Sequence, residues 1–199
     1  EYSYKVSAYK NFNDSKKHGT EAYAVGETLT AAVKSLKVLE RTTSEIKLSW
    51  LSAKGADGYI VYKKDEGESA FSEYTRISNN GDETVYFTDS KLNSAYARSY
   101  RIVTYSYIGD ELKKSDFAEI DACTLPKTVE NLKVTTVSTS SVKLTWNKVD
   151  GATGYIVYRQ GTSDTTKYYT IATLESNTEI SYCLLYTSPS PRDISGSRM

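Results

Sequence analysis

The sequence predicts an all-β fold of tandem, seven-stranded, two-sheet sandwiches. Three observations predict it. A tryptophan strand followed by a tyrosine strand occurs twice at one spacing: Trp50 before Gly58-Tyr59-Ile60-Val61-Tyr62, and Trp146 before Gly154-Tyr155-Ile156-Val157-Tyr158. Apolar residues alternate with polar ones at period two, the mark of half-buried strands, and no stretch follows the helical period. Composition agrees: Tyr occurs 18 times in 199 residues, and Tyr, Thr and Val suit pleated, half-buried surfaces.

The repeat sets the domain organisation. A shift of 96 residues lays Thr124-Leu125 on Thr28-Leu29, Leu132-Lys133-Val134 on Leu36-Lys37-Val38, Trp146 on Trp50, and 154–158 on 58–62. The same shift lays Tyr100-Arg101-Ile102 on Tyr4-Lys5-Val6 and Tyr105 on Tyr9. The last two strands of one module are therefore expected at 1–29, a complete module at 30–125, and the N-terminal part of a third at 126–182. Leu125-Pro126-Lys127-Thr128 forms the second junction, where Pro126 suits a short, stiff linker.

Along the complete module, Leu36 and Val38 mark the first strand. Residues 44–50 alternate, with Ile46, Leu48 and Trp50 on one face and Lys47 and Ser49 on the other. Gly55-Ala56-Asp57-Gly58 is turn material, and residues 58–63 form the next strand with Tyr59 and Val61 inward. Residues 73–77 read as a short edge strand. Asn79-Asn80-Gly81-Asp82 reads as a hairpin turn, since Asn-Gly accepts the positive φ of tight turns. Residues 83–87 follow. Residues 99–107 form a long strand with Tyr100, Ile102 and Thr104 on one face, and 117–122 close the module. Seven short strands with turns about every 8–12 residues argue a sandwich.

These features resemble the fibronectin type III module, an immunoglobulin-like sandwich. The residues that carry the resemblance are Ile46-x-Leu48-x-Trp50, Gly58-Tyr59-x-Val61 and Tyr100-Arg101-Ile102, and it spans residues 1–182. It implies a fold with no obligatory disulfide, metal or cofactor, used as spacer and binding module on extracellular or cell-surface proteins. The Gly-Tyr-x-Val-Tyr strand resembles bacterial versions. The family places a tyrosine six residues after the leucine of the preceding turn, where it bonds back across the corner. Leu92 puts that position at Arg98, a departure from the pattern; Tyr96 standing in, or Arg98 bonding the corner itself, are the two alternatives. In the first fragment the position is Tyr2.

Residues 183–193, Cys-Leu-Leu-Tyr-Thr-Ser-Pro-Ser-Pro-Arg-Asp, break the pattern. They resemble the translation of a transposase-type sequencing adapter, so 183–199 is expected to be a non-native tail, the alternative being a genuine Ser/Pro-rich linker, and is set apart from the fold. The only Met is Met199, so a fragment or processed piece is expected. Outside the tail Cys123 is the one cysteine. It has no internal partner and is expected to pack as a small apolar residue near a strand end.

Charge is balanced, 25 basic against 25 acidic residues, and no basic run is long enough to track phosphates, so no nucleic-acid partner is expected. No apolar run approaches the roughly 20 residues that span a bilayer, so no membrane insertion is expected of this stretch. The sole histidine, His18, is placed in a solvated loop between the two strands of the first fragment and has no second metal ligand. Asp65, Glu66 and Glu68 read as a solvated acidic loop. Ile108-Gly109-Asp110 lacks the arginine of an integrin-binding Arg-Gly-Asp. No catalytic, cofactor or metal residue is predicted.

One binding signal remains. If Tyr59 and Val61 point inward, Ile60 and Tyr62 point outward, beside Val103 and Tyr105. That makes either an aromatic–aliphatic docking patch or a plain sheet face shielded by Lys and Arg stems. The expected function is that of a non-catalytic spacer and interaction array in an extracellular or cell-surface multidomain protein. Its partners are other domains of the same polypeptide and a surface protein or polysaccharide. The alternatives are an adhesin or carbohydrate-binding region, gaining by avidity, or accessory modules of a secreted glycan-degrading enzyme. Residues 30–125 are expected to fold alone, and 126–182 are not, because an open edge and uncovered core invite aggregation.

Overall fold

A computed structural model describes residues 2–26, 28–161 and 164–185. The chain opens with β1 (Tyr2–Phe12) and β2 (Ser15–Gly26). They pair antiparallel from Tyr2↔Gly26 to Phe12↔Ser15. The turn is made by Asn13 and Asp14 at φ of 45° and 54°, a region these two side chains tolerate better than most.

The second repeat supplies β3 (Lys34–Arg41), β4 (Glu45–Leu51), β5 (Gly58–Asp65), β6 (Ser72–Ser78), β7 (Thr84–Ser90), β8 (Ala97–Ile108) and β9 (Glu111–Cys123). They form a three-stranded sheet, β3-β4-β7, and a four-stranded sheet, β6-β5-β8-β9. This is the seven-stranded, two-sheet sandwich that the alternation predicts. The third repeat supplies β10 (Lys133–Ser138), β11 (Ser141–Thr145), β12 (Tyr155–Gln160), β13 (Tyr168–Leu174) and β14 (Ser181–Leu185), in sheets β10-β11-β14 and β12-β13. β14 pairs with β11 through Cys183, Leu184 and Leu185, the first three residues of the expected tail. The rest of that tail, 186–199, lies outside the described residues.

The chain divides into two compact units. The first holds Glu1–Glu40, Lys47–Thr88 and Arg98–Ala122; the second holds Arg41–Ile46, Asp89–Ala97 and Cys123–Met199. The division does not follow the repeat: the ends of β3, β4, β7, β8 and β9 fall to the second unit.

Within the first unit the sheets meet through aromatic rings. Trp50 on β4 meets Tyr59 on β5 edge-on at 5.5 Å, and Phe87 on β7 meets Tyr100 on β8 at 6.3 Å. Leu48, Trp50, Tyr59, Val61, Tyr100, Ile102 and Thr104 are all buried, as the alternation predicts. The Tyr59 hydroxyl accepts the Ala53 N–H (2.9 Å) and donates to Ser52 Oγ, satisfying the turn between β4 and β5. The second unit repeats the device: Trp146 and Tyr155 lie 5.4 Å apart, and the Tyr155 hydroxyl accepts the Val149 N–H at 3.0 Å.

The repeated glycine also has a structural cause. A Cβ at Gly58 would run into the Ile77 carbonyl oxygen and come within 2.7 Å of Tyr105 Oη; one at Gly154 would run into the Leu174 carbonyl oxygen. In both repeats the neighbouring strand leaves no room for a side chain at the start of the tyrosine strand.

Three local expectations are corrected. Residues 79–82 are not a hairpin turn, because β6 and β7 belong to different sheets. Gly81 does take a positive φ of 85°, but Asn79 binds back to the Ala53 and Ala56 carbonyls and the chain crosses between sheets. His18 is not in a loop: the two strands turn earlier, at Asn13-Asp14, and His18 lies on β2 opposite Tyr9. Cys123 does not pack; it is exposed at the end of β9 and, like Cys183, is free.

Candidate interaction surface

The four residues of the expected patch lie on β5 and β8, which pair antiparallel. The register sets Ile60 against Val103, Tyr62 against Arg101 and Gly58 against Tyr105. The patch is therefore not contiguous in the way its spacing suggests, since the Tyr105 ring lies across Gly58. Nor is it bare. Ile60 is 0% exposed and Val103 8%, while Tyr62 and Tyr105 are half-buried. Ile60 stands between Val103 and Arg76, its partner on β6, so both flanks of its side chain are occupied.

Cations cover this face. The Arg101 guanidinium sits between two rings, 4.0 Å from the Phe71 centroid and 4.1 Å from that of Phe117, and its Nε donates to Glu119 Oε2 at 2.7 Å. Lys114 Nζ donates to the Tyr62 hydroxyl at 2.9 Å. Arg76 lies 6.0 Å over the Tyr105 ring and donates from Nε to Glu73 Oε1 at 2.7 Å. That hydrogen bond holds the Glu73 carboxyl below its usual range and raises the Arg76 guanidinium above its own. Long stems of Arg and Lys bury apolar surface while their heads stay wet. The face thus offers a partner phenol edges, guanidinium planes and paired carboxylates rather than bare aliphatic surface.

The sequence reading missed the ion pair at the end of β5. Asp65 is not simply solvated. It stands opposite Arg98 in the β5–β8 register, and Arg98 Nε donates to its Oδ1. The Arg98 side chain is buried and that of Asp65 mostly so. Buried charges are found paired because desolvation penalises them. The signal was present: Arg98 continues the inward series of Tyr100, Ile102 and Thr104, and a charge at an inward position calls for a counter-charge. Glu68 serves the same loop by accepting the Asp65 N–H at 2.9 Å.

His18 Nδ1 lies 3.2 Å from Ser7 Oγ, and Lys16 Nζ lies 4.4 Å over the Tyr9 ring. Among the described residues no group of three or more His, Cys, Asp or Glu could hold a metal ion.

The junction after β9 is tied down within the second unit. Thr124 is buried; its Oγ1 accepts the Tyr96 N–H (2.9 Å) and donates to the Asn93 carbonyl (2.7 Å). Leu125 N–H donates to the Thr42 carbonyl at 2.8 Å, and Ala95 N–H to the Leu125 carbonyl at 3.1 Å. A Cβ on Gly151, at φ 77°, would lie 2.7 Å from the Ala95 Cβ, so the loop after Val149 packs directly on the loop before β8.

No known family profile matches the chain. It is 26% identical over 160 residues to phosphatidylinositol phosphatase PTPRQ of Rattus norvegicus, covering 77% of this chain and 6% of that protein. It is 26% identical over 137 residues to receptor-type tyrosine-protein phosphatase eta of Mus musculus, covering 69% of this chain and 10% of that protein. The chain thus spans a tenth or less of these curated relatives. Similar solved structures include FN3tt mut (14% identity, TM-score 0.40, 48% of this chain and 97% of the other). They also include the chicken CNTN1 FN1-FN3 domains (17% identity, TM-score 0.39, 94% and 66%).

Proposed function

We propose that this chain is a non-catalytic stretch of an extracellular or cell-surface multidomain protein, in which fibronectin type III sandwiches act as spacers and interaction modules. The observation that carries this reading is the pinned junction at Thr124-Leu125. A spacer must transmit position from one module to the next; Thr124 and Leu125 are bonded back to residues 42, 93, 95 and 96, which fixes where the linker starts, and the loop of Gly151 packs on that of Ala95. The relative named as a receptor-type protein favours a surface location; the phosphatase chemistry in the relatives' names is not carried to this chain. The Gly-Tyr-x-Val-Tyr strand favours a bacterial source.

Amide relaxation by NMR tests the reading. Residues 93–96 and 123–127 are expected to be as rigid as the strands, with order parameters of about 0.85; values under about 0.6 would sink the spacer role. A glycan and matrix-protein binding screen of residues 30–125 separates the rival: no binding keeps the spacer reading, and specific binding moves the function to adhesion.

A further inference from the structure

Cations and rings alternate in a row on the outer face of the β6-β5-β8-β9 sheet. Lys64 Nζ lies 5.0 Å over the Phe71 ring. The Arg101 guanidinium stands between that ring and Phe117, 4.0 and 4.1 Å from their centroids. Glu119 takes the Arg101 Nε–H at 2.7 Å. Two rings and a carboxylate thus hold the guanidinium in place. Its terminal fork, Nη1 and Nη2, meets no acceptor among the described residues, and the side chain is 35% exposed. Lys114 stands on the same face with its Nζ on the Tyr62 hydroxyl. Among the described residues, neither Lys64 nor Lys114 has a carboxylate within ion-pair distance.

The fold does not require this arrangement. The 96-residue shift lays Lys167 on Phe71, Phe117 on Glu21 and Arg101 on Lys5. Glu21 and Lys5 close into a plain ion pair at 2.8 Å, whereas the complete module sets rings on both sides of its cation. An arginine fixed in this way has given up its rotamer freedom before a ligand arrives. A guanidinium fork fits a carboxylate through two parallel hydrogen bonds. Spacing adds a second constraint. In the β5–β8 register Tyr62 opposes Arg101 and Lys64 opposes Ser99. Arg101 and Lys64 therefore stand one same-face step apart along the strands, about 6.8 Å. Alternate side chains of an extended peptide have that spacing.

We propose that Arg101, with Lys64 and Lys114 beside it, is a carboxylate-binding site that takes an extended acidic segment of a partner protein. It rests on the reading of these sandwiches as interaction modules and names the partner chemistry for one face. One carboxylate enters the Arg101 fork, and the carboxylate two residues along the segment lies on Lys64. Lys114, steered by the Tyr62 hydroxyl, adds charge from the β9 side. Phe71 and Phe117 keep the guanidinium aimed at the incoming group. Positioned arginines recognise acidic motifs in this way, and the surrounding charge speeds encounter and sets register.

The test titrates the whole isotope-labelled chain, at low salt, with a capped peptide of alternating serine and glutamate, followed by NMR. Shifts are expected at the Arg101 Nε–H and at the β5 and β8 amides around it, and binding is expected to weaken as salt rises. Arg101→Lys keeps the charge and removes the fork; it is expected to weaken binding about tenfold or more. Phe117→Leu keeps the arginine and removes one wall; it is expected to weaken binding by a smaller factor. Lys127→Gln, in the second unit, is expected to leave binding unchanged. Absence of any shift at Arg101 overturns the proposal. So does equal weakening by Arg101→Lys and Lys127→Gln, which marks loose charge attraction, or binding that Phe117→Leu leaves untouched. Tighter binding of a short galacturonate oligomer at the same resonances also overturns it, because the site then belongs to a polysaccharide. The amides of 123–127 are read in the same spectra, so failure of the spacer reading and failure of this site are separate results.

Discussion

Ile60 and Ile156 are the same residue at the same place in the same five-residue motif, and their fates differ. Ile60 is 0% exposed and Ile156 53%. Beneath them the two regions agree: Trp50 with Tyr59 and Trp146 with Tyr155 stack within 0.1 Å of the same spacing (5.5 and 5.4 Å) at 65° and 66°. Both tyrosine hydroxyls accept the N–H six residues back. The inner layer is thus set by short-range sequence. The outer layer is set by strands that arrive from far along the chain: β8 brings Val103 and Arg101, and β9 brings Phe117 and Lys114.

The comparison can be broken at several strengths. The largest effect is expected from separating the regions. Residues 30–125 should melt cooperatively in calorimetry and 126–182 should not; a cooperative transition from the latter would show that its five strands suffice. Next, Trp50→Ala should cost about 3–5 kcal/mol in chemical denaturation, most of a small domain's stability.

The sharpest contrast is Ile60→Ala against Ile156→Ala in the full chain. The first should cost about 2–4 kcal/mol and the second under about 0.5 kcal/mol. Equal effects would mean that Ile60 is buried without being packed. Gly58→Ala should cost about 1–3 kcal/mol by overpacking, and Gly154→Ala should act in the same direction. Here the two regions are expected to agree, because each glycine faces a backbone carbonyl.

The smallest effects are electrostatic. Glu21, Glu73 and Asp164 are held below the usual carboxylate range, chiefly by hydrogen bonds from Lys5, Arg76 and Thr166 respectively. A lowered carboxyl stabilises the fold above its ordinary range, and the contribution disappears as pH falls through the lowered value. NMR titration should find all three below their exposed neighbours. Molar salt should move Glu21 and Glu73 back upward and Asp164 less, since a neutral hydroxyl is its main donor.

Alternation placed Trp50, Tyr59, Val61, Tyr100 and Ile102 in the core correctly, because a strand has two faces and one must leave water. The same rule misplaced Ile60. It assumes that the other face is solvated, and in the central strand of a four-stranded sheet, long side chains on both flanks cover that face as well. The Asp65–Arg98 pair escaped notice because its partners are 33 residues apart and meet only through the β5–β8 register. Residues 79–82 had hairpin chemistry, but turn residues report a change of direction and not which sheet the chain joins next.

The sequence by itself determined the strand periodicity, the 96-residue repeat and the tryptophan–tyrosine core, all of which rest on local pattern. It also determined where glycine must stand, although not why. Tertiary structure alone decided which outward residues are covered and which charges meet. Those outcomes depend on strand partners and their register, and pairing energy is summed across strands that no local stretch of sequence contains.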